Sequence, residues 1–295
     1  MNSTQSFPKT TLIITTYNQP QFLAISLRTV LAQTVLPGEV IVASDGSTDE
    51  TLEVVRKFVD ESPIPIKYFW QPDVKNRINR NRNNGIAGAT GDYLVLIDGD
   101  CFLERHFIED HLTYAQVGRF ITGTRCNLDR KRRDYILSTG DLKINIWSRG
   151  TTKKFHTLRS RFLSRLLSEH NAQTKNGKPL LAYKVAGANV SFWRSDALKI
   201  NGFNEFYEGH GGNDTEFALR LCSSGVSCFR MKNFGLLRHF KHDASLKGDH
   251  SGDFYKELAK TLEEGFRCRP EYGLNRALEE LKTIRPIDGF YWKFS

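Results

Sequence analysis

The chain has 295 residues, a length that fits one large α/β domain or two small ones. A hydrophobic content of 39% supports a folded core, and 42 basic against 33 acidic residues give a formal charge of +9. This charge favours anionic partners such as nucleotides, nucleic acid, phosphorylated glycolipids or an anionic membrane face. Five cysteines without CxxC spacing argue against a disulfide framework or a zinc knuckle and fit a reducing cytoplasm.

Residues 1–10 are polar and contain neither the apolar core of a signal peptide nor a run of the ~20 apolar residues that a spanning helix needs. Any contact with a membrane is therefore expected to be peripheral. Together with the cysteine pattern, this predicts a cytoplasmic protein that would meet a membrane at its inner face.

Strand and helix signals alternate along the N-terminal part of the chain. Apolar, β-branched runs predict strands, and segments with leucines four residues apart or with capping-box spacing predict helices. In chain order the predicted elements are a strand at 11–15, a helix opened by Asn18 and Gln21 with Leu23, Leu27 and Leu31 on its apolar face, a strand at 39–43, a helix opened by the capping box at 47–50, a strand at 66–70, a helix at 79–89 and a strand at 93–97. This βαβαβαβ series predicts an α/β fold with a mostly parallel, doubly wound, Rossmann-like sheet.

Polar clusters lie where four of these strands end, at 15–18, 45–49, 71–73 and 98–100. Ligands of doubly wound sheets bind outside the carboxyl ends of the strands, so these clusters are expected to converge on one crevice. Taken singly, such a cluster also suits a turn or a helix cap. Their coincidence at one edge of one sheet favours a nucleotide-binding crevice.

Asp98 and Asp100 are the most informative of these residues because they directly follow the apolar run 93–97. Side chains two residues apart on a strand share a face, so both carboxylates can reach one point beyond its end. Magnesium and manganese ions prefer carboxylate oxygens and keep positions open for phosphate oxygens. The pair therefore predicts a metal that holds a nucleotide diphosphate, with an acidic turn as the alternative.

Five segments resemble, in order and spacing, the nucleotide-binding half of GT-A glycosyltransferases of family 2. They lie within about the first 120 residues and are 15–18 (TTYN), 44–49 (SDGSTD), 71–73 (QPD), 82–86 (RNNGI) and 97–100 (IDGD). The resemblance implies a GT-A fold and a nucleotide-sugar pocket lined by Thr15, Tyr17, Asp45 facing the uracil, Asp73, Arg82, Asp98, Gly99 and Asp100. Arg77 and Arg80 are diphosphate contacts on charge grounds, with a solvated basic helix face as the alternative.

The second half adds the segments 185–192 (VAGANVSF), 201–205 (NGFNE) and 209–217 (GHGGNDTEF). They resemble the NGF…GWGGED acceptor motif of galactosyltransferase-like and chondroitin-polymerase-like inverting enzymes, in which an aspartate is the catalytic base. Asp214 falls on that aspartate, and the resemblance implies a sugar loop formed by His210, Gly211, Gly212, Asn213 and Glu216. Asn213 and Glu216 also have capping-box spacing, so structure alone could explain much of this string.

The chemistry of sugar transfer supports these roles. An acceptor hydroxyl must lose its proton as it attacks the anomeric carbon, and a carboxylate such as Asp214 can take that proton. A metal can neutralise the departing diphosphate, so no leaving-group acid is required. His239 lies in a segment that resembles the family's HxxH, which implies a third metal ligand beside Asp98 and Asp100.

Two departures from the family pattern bear on specificity. His210 stands where the family commonly has Trp, and Asn213 stands where it commonly has Glu. The loop keeps its glycines and its aspartate but loses an aromatic platform and a carboxylate, so the sugar stays open. We expect activity to be retained, because Asp214 and the metal ligands remain.

Residues 130–165 hold eleven basic and only two acidic residues. Within this basic segment, apolar residues repeat at helical spacing beside three arginines. The apolar residues are Leu158, Phe162 and Leu166, and the arginines are Arg159, Arg161 and Arg165. A basic helix lying on an anionic membrane, a groove for a phosphorylated glycolipid, and an ordinary surface helix packed on the domain all fit this pattern.

The C-terminal part predicts two amphipathic helices that pack back on the domain. One carries Phe254, Leu258 and Leu262 in register, and the other carries Leu274, Leu278 and Leu281. The aromatic end at 290–292 either adds membrane contact or completes the packing. The expected division is a GT-A domain at 1–245, made of a nucleotide-binding half (1–125), a basic insertion (126–180) and an acceptor half (181–245), followed by a helical tail at 246–295.

The sequence thus predicts a metal-dependent inverting glycosyltransferase that moves a Gal, GalNAc, Glc or GlcNAc type of sugar from a UDP-sugar to a bacterial surface glycan or glycolipid, such as lipopolysaccharide or capsule. The expected cofactor is Mn²⁺ or Mg²⁺, and no nucleic-acid partner is expected. A nucleotidyltransferase of related fold is an alternative, but residues 15–20 lack the glycine-rich loop that its chemistry needs. A non-enzymatic polyanion-binding protein is another, and it gives no reason for Asp98, Asp100 and Asp214.

Overall fold

The computed structural model describes residues 7–143, 150–152, 158–170, 174–175, 178–179, 185, 187–207, 212–240 and 270–295. The strands are β1 (Thr10–Thr16), β2 (Glu39–Asp45), β3 (Ile66–Gln71), β4 (Tyr93–Asp98), β5 (Cys101–Leu103), β6 (Arg119–Thr122), β7 (Thr124–Leu128), β8 (Glu169–His170), β9 (Thr174–Lys175), β10 (Lys178–Pro179), β11 (Asn189–Trp193), β12 (Ser227–Arg230), β13 (Leu236–Phe240) and β14 (Tyr291–Lys293). The helices are α1 (Pro20–Leu31), α2 (Asp49–Glu61), α3 (Ile78–Gly88), α4 (Phe107–Tyr114), α5 (Arg130–Thr139), α6 (Arg161–Leu167), α7 (Arg194–Lys199), α8 (Asn213–Ser223) and α9 (Leu274–Thr283).

Nine of the described strands form the central sheet, in the order β14-β3-β2-β1-β4-β11-β6-β12-β8. From β14 to β4 neighbouring strands are parallel, whereas β11 is antiparallel to both β4 and β6. β1 and β2 are buried along their whole length, as central strands are in a sheet covered on both faces. The predicted mostly parallel α/β sheet is confirmed.

Alternate residues of these strands contribute to two cores, one on each face of the sheet. Ile13 and Ile41 belong to the core that α3, α8 and α9 cover. Leu12 and Val40 belong to the core that α1, α2 and α4 cover. Because both faces are buried, the strands read as continuous apolar runs, which is why their positions were predictable.

A smaller sheet with the order β5-β13-β7 was not predicted. β13 pairs antiparallel with β5 in a register that sets His239 opposite Cys101. Cys101 directly follows Asp100, so this pairing brings a distant histidine to the turn that ends β4. The smaller sheet therefore positions one of the expected metal ligands.

The sequence predicts a helical C-terminal tail, but the segment 270–295 contains a strand as well as a helix. α9 confirms the second predicted helix, with Leu274 buried, but the aromatic end forms β14 and pairs in parallel with β3. Phe290 and Tyr291 are 7% and 8% exposed, so this end completes the packing instead of contacting a membrane. The first predicted helix, at 254–262, lies outside the described residues, and the division of the chain at residue 245 stays a prediction.

The expected capping boxes at the first two helices are wrong. α1 begins at Pro20 after Gln19, and the Asn18 side chain accepts a hydrogen bond from the Thr48 amide (2.9 Å). Thr48 precedes α2 without a side-chain cap. Both loops face the carboxyl edge of the sheet, and there Asn18 joins one loop to the other. Within the described part of the chain, no helix has the length and apolar composition that crossing a bilayer requires.

Candidate functional site

The carboxyl ends of β1, β2, β3 and β4 meet at one edge of the central sheet. The strand register places Thr15 beside Asp98, and Asp45 beside Gln71. This edge gathers the four polar clusters that are separate in the sequence, as the topology of a parallel sheet requires.

Thr15 and the Asp98–Asp100 turn are hydrogen-bonded to each other. The Thr15 hydroxyl donates to Asp98 Oδ1 (3.0 Å), and the Gly99 amide donates to the Thr15 carbonyl (2.7 Å). A Cβ on Gly99 would lie 3.1 Å from that carbonyl oxygen, so a larger residue fits poorly. Burial raises the pKa of Asp98, an effect that Arg82 opposes and that Asp100 reinforces. A cation bound nearby would favour the ionised carboxylate.

Asp100 and His239 lie next to each other across the smaller sheet. His239 Nε2 is 3.1 Å from Asp100 Oδ2. An imidazole nitrogen and a carboxylate oxygen are donors that suit Mn²⁺. Within the described residues, however, no three His, Cys, Asp or Glu side chains converge on one metal position. The expected three-ligand set is therefore not preformed, because Asp98 is turned toward Thr15 and Arg82.

Asp45, the expected uracil contact, ends β2 and is 7% exposed. Its Oδ1 accepts from Gln71 Nε2 (2.5 Å), and its Oδ2 accepts from the Arg77 backbone amide (2.9 Å). Burial raises the pKa of Asp45, and these two hydrogen bonds oppose that rise. The direction of the carboxylate is thus fixed by the protein itself.

Tyr17 and Asp73 lie on the loops above this pocket. The Tyr17 hydroxyl donates to Asp73 Oδ2 (3.0 Å), and this hydrogen bond raises the pKa of Tyr17. A Cβ on Gly46 would lie 2.4 Å from Asp73 Cα, and Gly46 has a φ of +85°. Only glycine lets the two loops approach this closely.

Arg77 and Arg80 serve the structure around the pocket. The Arg77 guanidinium donates to the Pro72 carbonyl (2.6 Å), which braces the loop between β3 and α3. Arg80 donates to the Ser295 carbonyl (2.8 Å) and lies 3.7 Å from Glu280. Arg80 is thus held by the C-terminal segment, and its contact with a diphosphate stays a prediction.

A chain of hydrogen bonds connects Asp45 to α9. Arg276 Nη2 donates to Asn84 Oδ1 (2.7 Å), Asn84 Nδ2 donates to Gln71 Oε1 (2.9 Å), and Gln71 Nε2 donates to Asp45. A guanidinium can only donate, so Arg276 determines which end of each amide points toward Asp45. Glu205 holds Arg276 through two hydrogen bonds of 2.8 and 3.0 Å. We call this chain from Arg276 to Asp45 the amide relay.

Asp214 lies in the first turn of α8, beside the Asp98–Asp100 turn. Its Oδ1 accepts from Arg82 Nη1 (2.7 Å), and its Oδ2 accepts from the Gly187 amide (2.7 Å). Arg82 is 3% exposed, and its Nη2 lies 3.9 Å from Asp98 Oδ1. A Cβ on Gly187 would lie 2.1 Å from Asp214 Oδ1, so a larger residue there would displace the Asp214 carboxylate. One buried guanidinium thus links the expected base to the expected donor site.

The expected sugar loop is described only from Gly212 onward, and His210 and Gly211 lie outside the described residues. Gly212 precedes α8 with a left-handed backbone (φ 72°), and Asn213 is the first residue of the helix and is 5% exposed. Glu216 is 1% exposed and pairs with Arg220 at 2.6 and 2.8 Å. The capping box is therefore wrong, and Glu216 supports the loop instead of contacting a sugar, because its carboxylate is buried against Arg220.

Four residues of this site received no role from the sequence: Gln71, Asn84, Gly187 and Arg276. A signal for one of them, Asn84, was present in α3, where residues 79–84 (NRNRNN) place four asparagines in one helix. Asparagine is a poor helix former, so such a run indicates that its amides are needed elsewhere. All four asparagines are buried and donate to groups outside the helix.

Two family models match the chain. The one described as Glycosyl transferase family 2 matches residues 11–169, which is more than half of the chain. The one described as the N-terminal domain of galactosyltransferase matches residues 168–243, a range that contains Asp214 and His239. The resemblance to family 2 glycosyltransferases and the resemblance to the galactosyltransferase-like acceptor motif are both confirmed.

The chain is similar to curated glycosyltransferases. It is 28% identical over 230 residues to a chondroitin synthase of Escherichia coli, covering 72% of this chain and 32% of that protein. It is 26% identical over 266 residues to the GalNAc(5)-diNAcBac-PP-undecaprenol beta-1,3-glucosyltransferase of Campylobacter jejuni, covering 88% of this chain and 76% of that protein. The chain thus spans a third of the first relative and three quarters of the second.

Solved structures of the same fold include S. aureus TarS 1-349 in complex with UDP, with a TM-score of 0.60 at 14% identity over 91% of this chain and 68% of that one. The mannosyltransferase PcManGT from Pyrobaculum calidifontis, in complex with GDP-Man and Mn²⁺, has a TM-score of 0.54 at 16% identity over 88% and 64%. The match to the glycosyl transferase family and the curated glycosyltransferase relatives set aside a nucleotidyltransferase and a non-enzymatic polyanion-binding protein. The chain belongs to glycosyl transferase family 2, and it is a glycosyltransferase with the GT-A fold.

Proposed function

We propose that this glycosyltransferase moves a sugar of the Gal, GalNAc, Glc or GlcNAc type from a UDP-sugar to a bacterial surface glycan or glycolipid, with inversion at the anomeric carbon. The observation that carries the proposal is the position of Arg82, which is 2.7 Å from Asp214 and 3.9 Å from Asp98. This arrangement supports Asp214 as a base that would act beside the turn expected to hold the diphosphate.

The donor would occupy the edge where β1 to β4 end. Asp45, fixed by the amide relay, would receive the uracil, and Tyr17 with Asp73 would cover the nucleoside. The UDP bound to TarS and the GDP-Man bound to PcManGT support a nucleotide-sugar donor for this fold.

Asp214 would act as the general base. It would take the proton from the acceptor hydroxyl as that oxygen forms a bond to the anomeric carbon and the bond from this carbon to the diphosphate breaks, with UDP leaving on the opposite face. The Gly187 amide and Arg82 would hold the carboxylate in position. Arg82 would also place positive charge beside the diphosphate.

A divalent cation, Mn²⁺ or Mg²⁺, would be held by Asp100 and His239, whose oxygen and nitrogen donors suit it, with Asp98 close by. When bound, it would neutralise charge on the departing diphosphate. The Mn²⁺ in the complex of PcManGT supports this cofactor.

The acceptor would be a glycan or a lipid-linked glycan. The names of the two curated relatives specify a chondroitin polymer and an undecaprenol-linked oligosaccharide, and both support this class. A lipid-linked acceptor, such as a lipopolysaccharide or capsule intermediate, would place the enzyme in peripheral contact with the cytoplasmic face of the membrane. The acceptor half would begin near residue 181, after the basic insertion.

The test begins with a thermal-shift screen of UDP-sugars with Mn²⁺ to find the donor. UDP release is then measured with chondroitin oligosaccharides and with an undecaprenyl-diphosphate glycan as acceptors.

Asp214→Asn should lower kcat by about 100- to 10,000-fold, the range of a general base, and leave UDP affinity nearly unchanged. Asp134→Asn, at an exposed aspartate on α5, is the matched control. Turnover retained by Asp214→Asn would show that Asp214 is not the base.

A further inference from the structure

We propose that Leu158, Phe162 and Leu166, with Arg161 and Arg165 beside them, form a docking surface for an anionic lipid bilayer. The three apolar side chains are 45%, 74% and 67% exposed, and both arginines are exposed. We call these five side chains the α6 surface. The inference rests on the proposed transfer to a lipid-linked acceptor, for which it supplies the place of contact.

The apolar residues of α6 lie on two sides: Leu163 and Leu167 are half-buried on the packed side, and the others are exposed. Its fully buried residue is Ser164, whereas Phe162 and Leu166 point into solvent. A helix on the surface of a globular domain normally buries its large apolar side chains and exposes its small polar ones. α6 is thus packed on the domain along one side, as the surface-helix alternative expects, but that packing does not account for the exposure of Phe162 and Leu166 on its other side.

The α6 surface is presented by a segment that is firmly attached to the domain. Arg159 donates three hydrogen bonds of 2.6 to 3.1 Å to Asp110 and stacks 4.6 Å over the ring of Phe234. Asn233 Nδ2 donates to the Leu158 carbonyl (2.9 Å). Arg159 therefore anchors the segment and is not available to a lipid headgroup, whereas Arg161 and Arg165 are exposed.

The far end of α6 is attached as well. The Tyr114 hydroxyl donates to Ser164 Oγ (3.2 Å), and the Lys232 amide donates to Ser168 Oγ (3.1 Å). Directly after it, β8 joins the edge of the central sheet by pairing with β12. With both ends fixed, the exposure of the apolar side chains is a property of the fold and not of a loose loop.

The positive charge around α6 indicates that the partner of the α6 surface is anionic. Residues 158–168 contain three arginines and no acidic residue, and one of these arginines is neutralised by Asp110. The other two would reach the phosphates of anionic lipids while the apolar side chains enter the acyl boundary. The exposed area of three side chains is far smaller than the roughly 800 Å² of surface that each partner of a specific protein interface buries. A bilayer accepts so small an apolar patch, whereas a second copy of this chain does not.

The experiment is co-sedimentation of the full chain with phosphatidylcholine vesicles, with and without phosphatidylglycerol. We expect binding to the anionic vesicles at about 0.1 M salt and its loss at about 1 M, where the screening length falls to about 3 Å. Phe162→Ser and Leu166→Ser should each reduce partitioning about tenfold without lowering the melting temperature, because both side chains are already exposed. Tyr272→Ser, at a tyrosine that is 60% exposed beside α9, is the control that should bind like the wild type.

Equal binding to neutral and anionic vesicles would overturn the proposal, as would wild-type binding by Phe162→Ser. A wild-type dimer in light scattering that Phe162→Ser converts to a monomer, with vesicle binding unchanged, would assign the α6 surface to a second copy instead. The thermal shift with UDP and Mn²⁺ is measured on the same proteins. Vesicle binding without any UDP shift would contradict the proposed function alone, and a UDP shift without vesicle binding would contradict the docking surface alone.

Discussion

The guanidinium of Arg82 lies between two carboxylates, Asp214 at 2.7 Å and Asp98 at 3.9 Å, and 5.0 Å above the ring of Phe203. A charge that is 3% exposed needs such partners, because an unpaired buried charge is strongly destabilising. A lysine could not replace it, since a single ammonium group lacks the planar guanidinium whose nitrogens face both carboxylates. At the scale of single residues, Arg82 thus connects the proposed base to the proposed donor turn.

The metal pair gives the first residue-scale prediction. Asp100→Ala and His239→Ala should each weaken Mn²⁺-dependent UDP binding by at least the roughly tenfold loss that even outer partners of a metal ligand cause when removed. Calorimetry of UDP binding with and without Mn²⁺ measures this. His106→Ala, which removes a partly exposed histidine paired with Glu104, is the control. Unchanged metal dependence in both variants would exclude the pair as ligands.

Gly187 gives the second residue-scale prediction. In Gly187→Ala the new methyl group would lie 2.1 Å from Asp214 Oδ1 and 2.6 Å from an Arg82 nitrogen, so the base must move. A displacement of this size should lower kcat by about 100-fold, with UDP affinity retained. Gly118→Ala is the comparison: its added Cβ meets nothing within 4 Å, and although its φ of +73° makes alanine lower the stability, its kcat should stay unchanged. Equal kcat values for the two variants would show that the position of Asp214 does not limit transfer.

At the scale of elements, α3 and α9 form the support beneath the donor pocket. α3 turns four asparagines inward, and α9 packs on α3 and supplies Arg276 to Asn84. The order of donors and acceptors along the amide relay then leaves Asp45 as the acceptor at its end. The C-terminal segment therefore supports the proposed nucleotide pocket, although it follows the range of both family matches.

Arg276→Ala should weaken UDP binding about tenfold, or ~1.4 kcal/mol, and leave kcat nearly unchanged, because the amide relay ends at Asp45 and not at Asp214. Arg276→Lys should restore part of the affinity, since an ammonium group can still donate to Asn84. Arg285→Ala, which removes an exposed arginine that donates to carbonyls near the end of α9, is the control. A lower melting temperature with unchanged UDP affinity would mean that Arg276 only stabilises the fold.

At the scale of the whole molecule, His111 joins several parts of the central sheet in one buried network. Its Nδ1 lies 2.7 Å from Ser191 Oγ, its Nε2 lies 3.0 Å from Asn189 Oδ1, and the Tyr93 hydroxyl lies 2.7 Å from Ser191. Asn189 donates to carbonyls of Thr124 and Gly235, so its Oδ1 must accept from the His111 ring. Nδ1 is then the hydrogen-bond acceptor of Ser191, and protonation would break this contact.

Burial lowers the pKa of His111 from 6.5 to about 4. The unfolded chain therefore binds this proton first, and the stability that the neutral ring provides is complete above pH 6.5 and is lost as the pH falls toward 4. The free energy of unfolding in urea should fall by up to ~1.4 kcal/mol per pH unit in this window. In His111→Gln, which cannot titrate, this part of the slope should disappear, while other shifted groups such as Asp110 remain in both proteins. Identical slopes would exclude His111 as the source.

Much of the fold followed from local patterns. The strands up to β4 and the helix α3 lie close to their expected bounds, because strands buried on both faces carry continuous apolar runs. Asp98 and Asp100 stood out because carboxylates directly after such a run contribute little to a core. The predicted helix caps were mostly wrong. Asn18 bridges two loops, a contact that spacing does not show, whereas Glu216 pairs with Arg220 four residues later on the same helix, a spacing that competes with the capping box.

The parallel sheet, the polar edge where its strands end and the residues expected at that edge were predictable, since they depend on periodicity and residue type within short segments. Four further features appear only in the folded chain: His239 lies beside Asp100, Arg82 joins Asp214 to Asp98, Arg276 supports Asp45, and Phe162 and Leu166 face outward. These contacts join residues from different elements, or depend on which side of a helix is covered. Strand register and helix packing determine these contacts and the covered side of each helix. Neither register nor packing can be inferred from the pattern within a short segment.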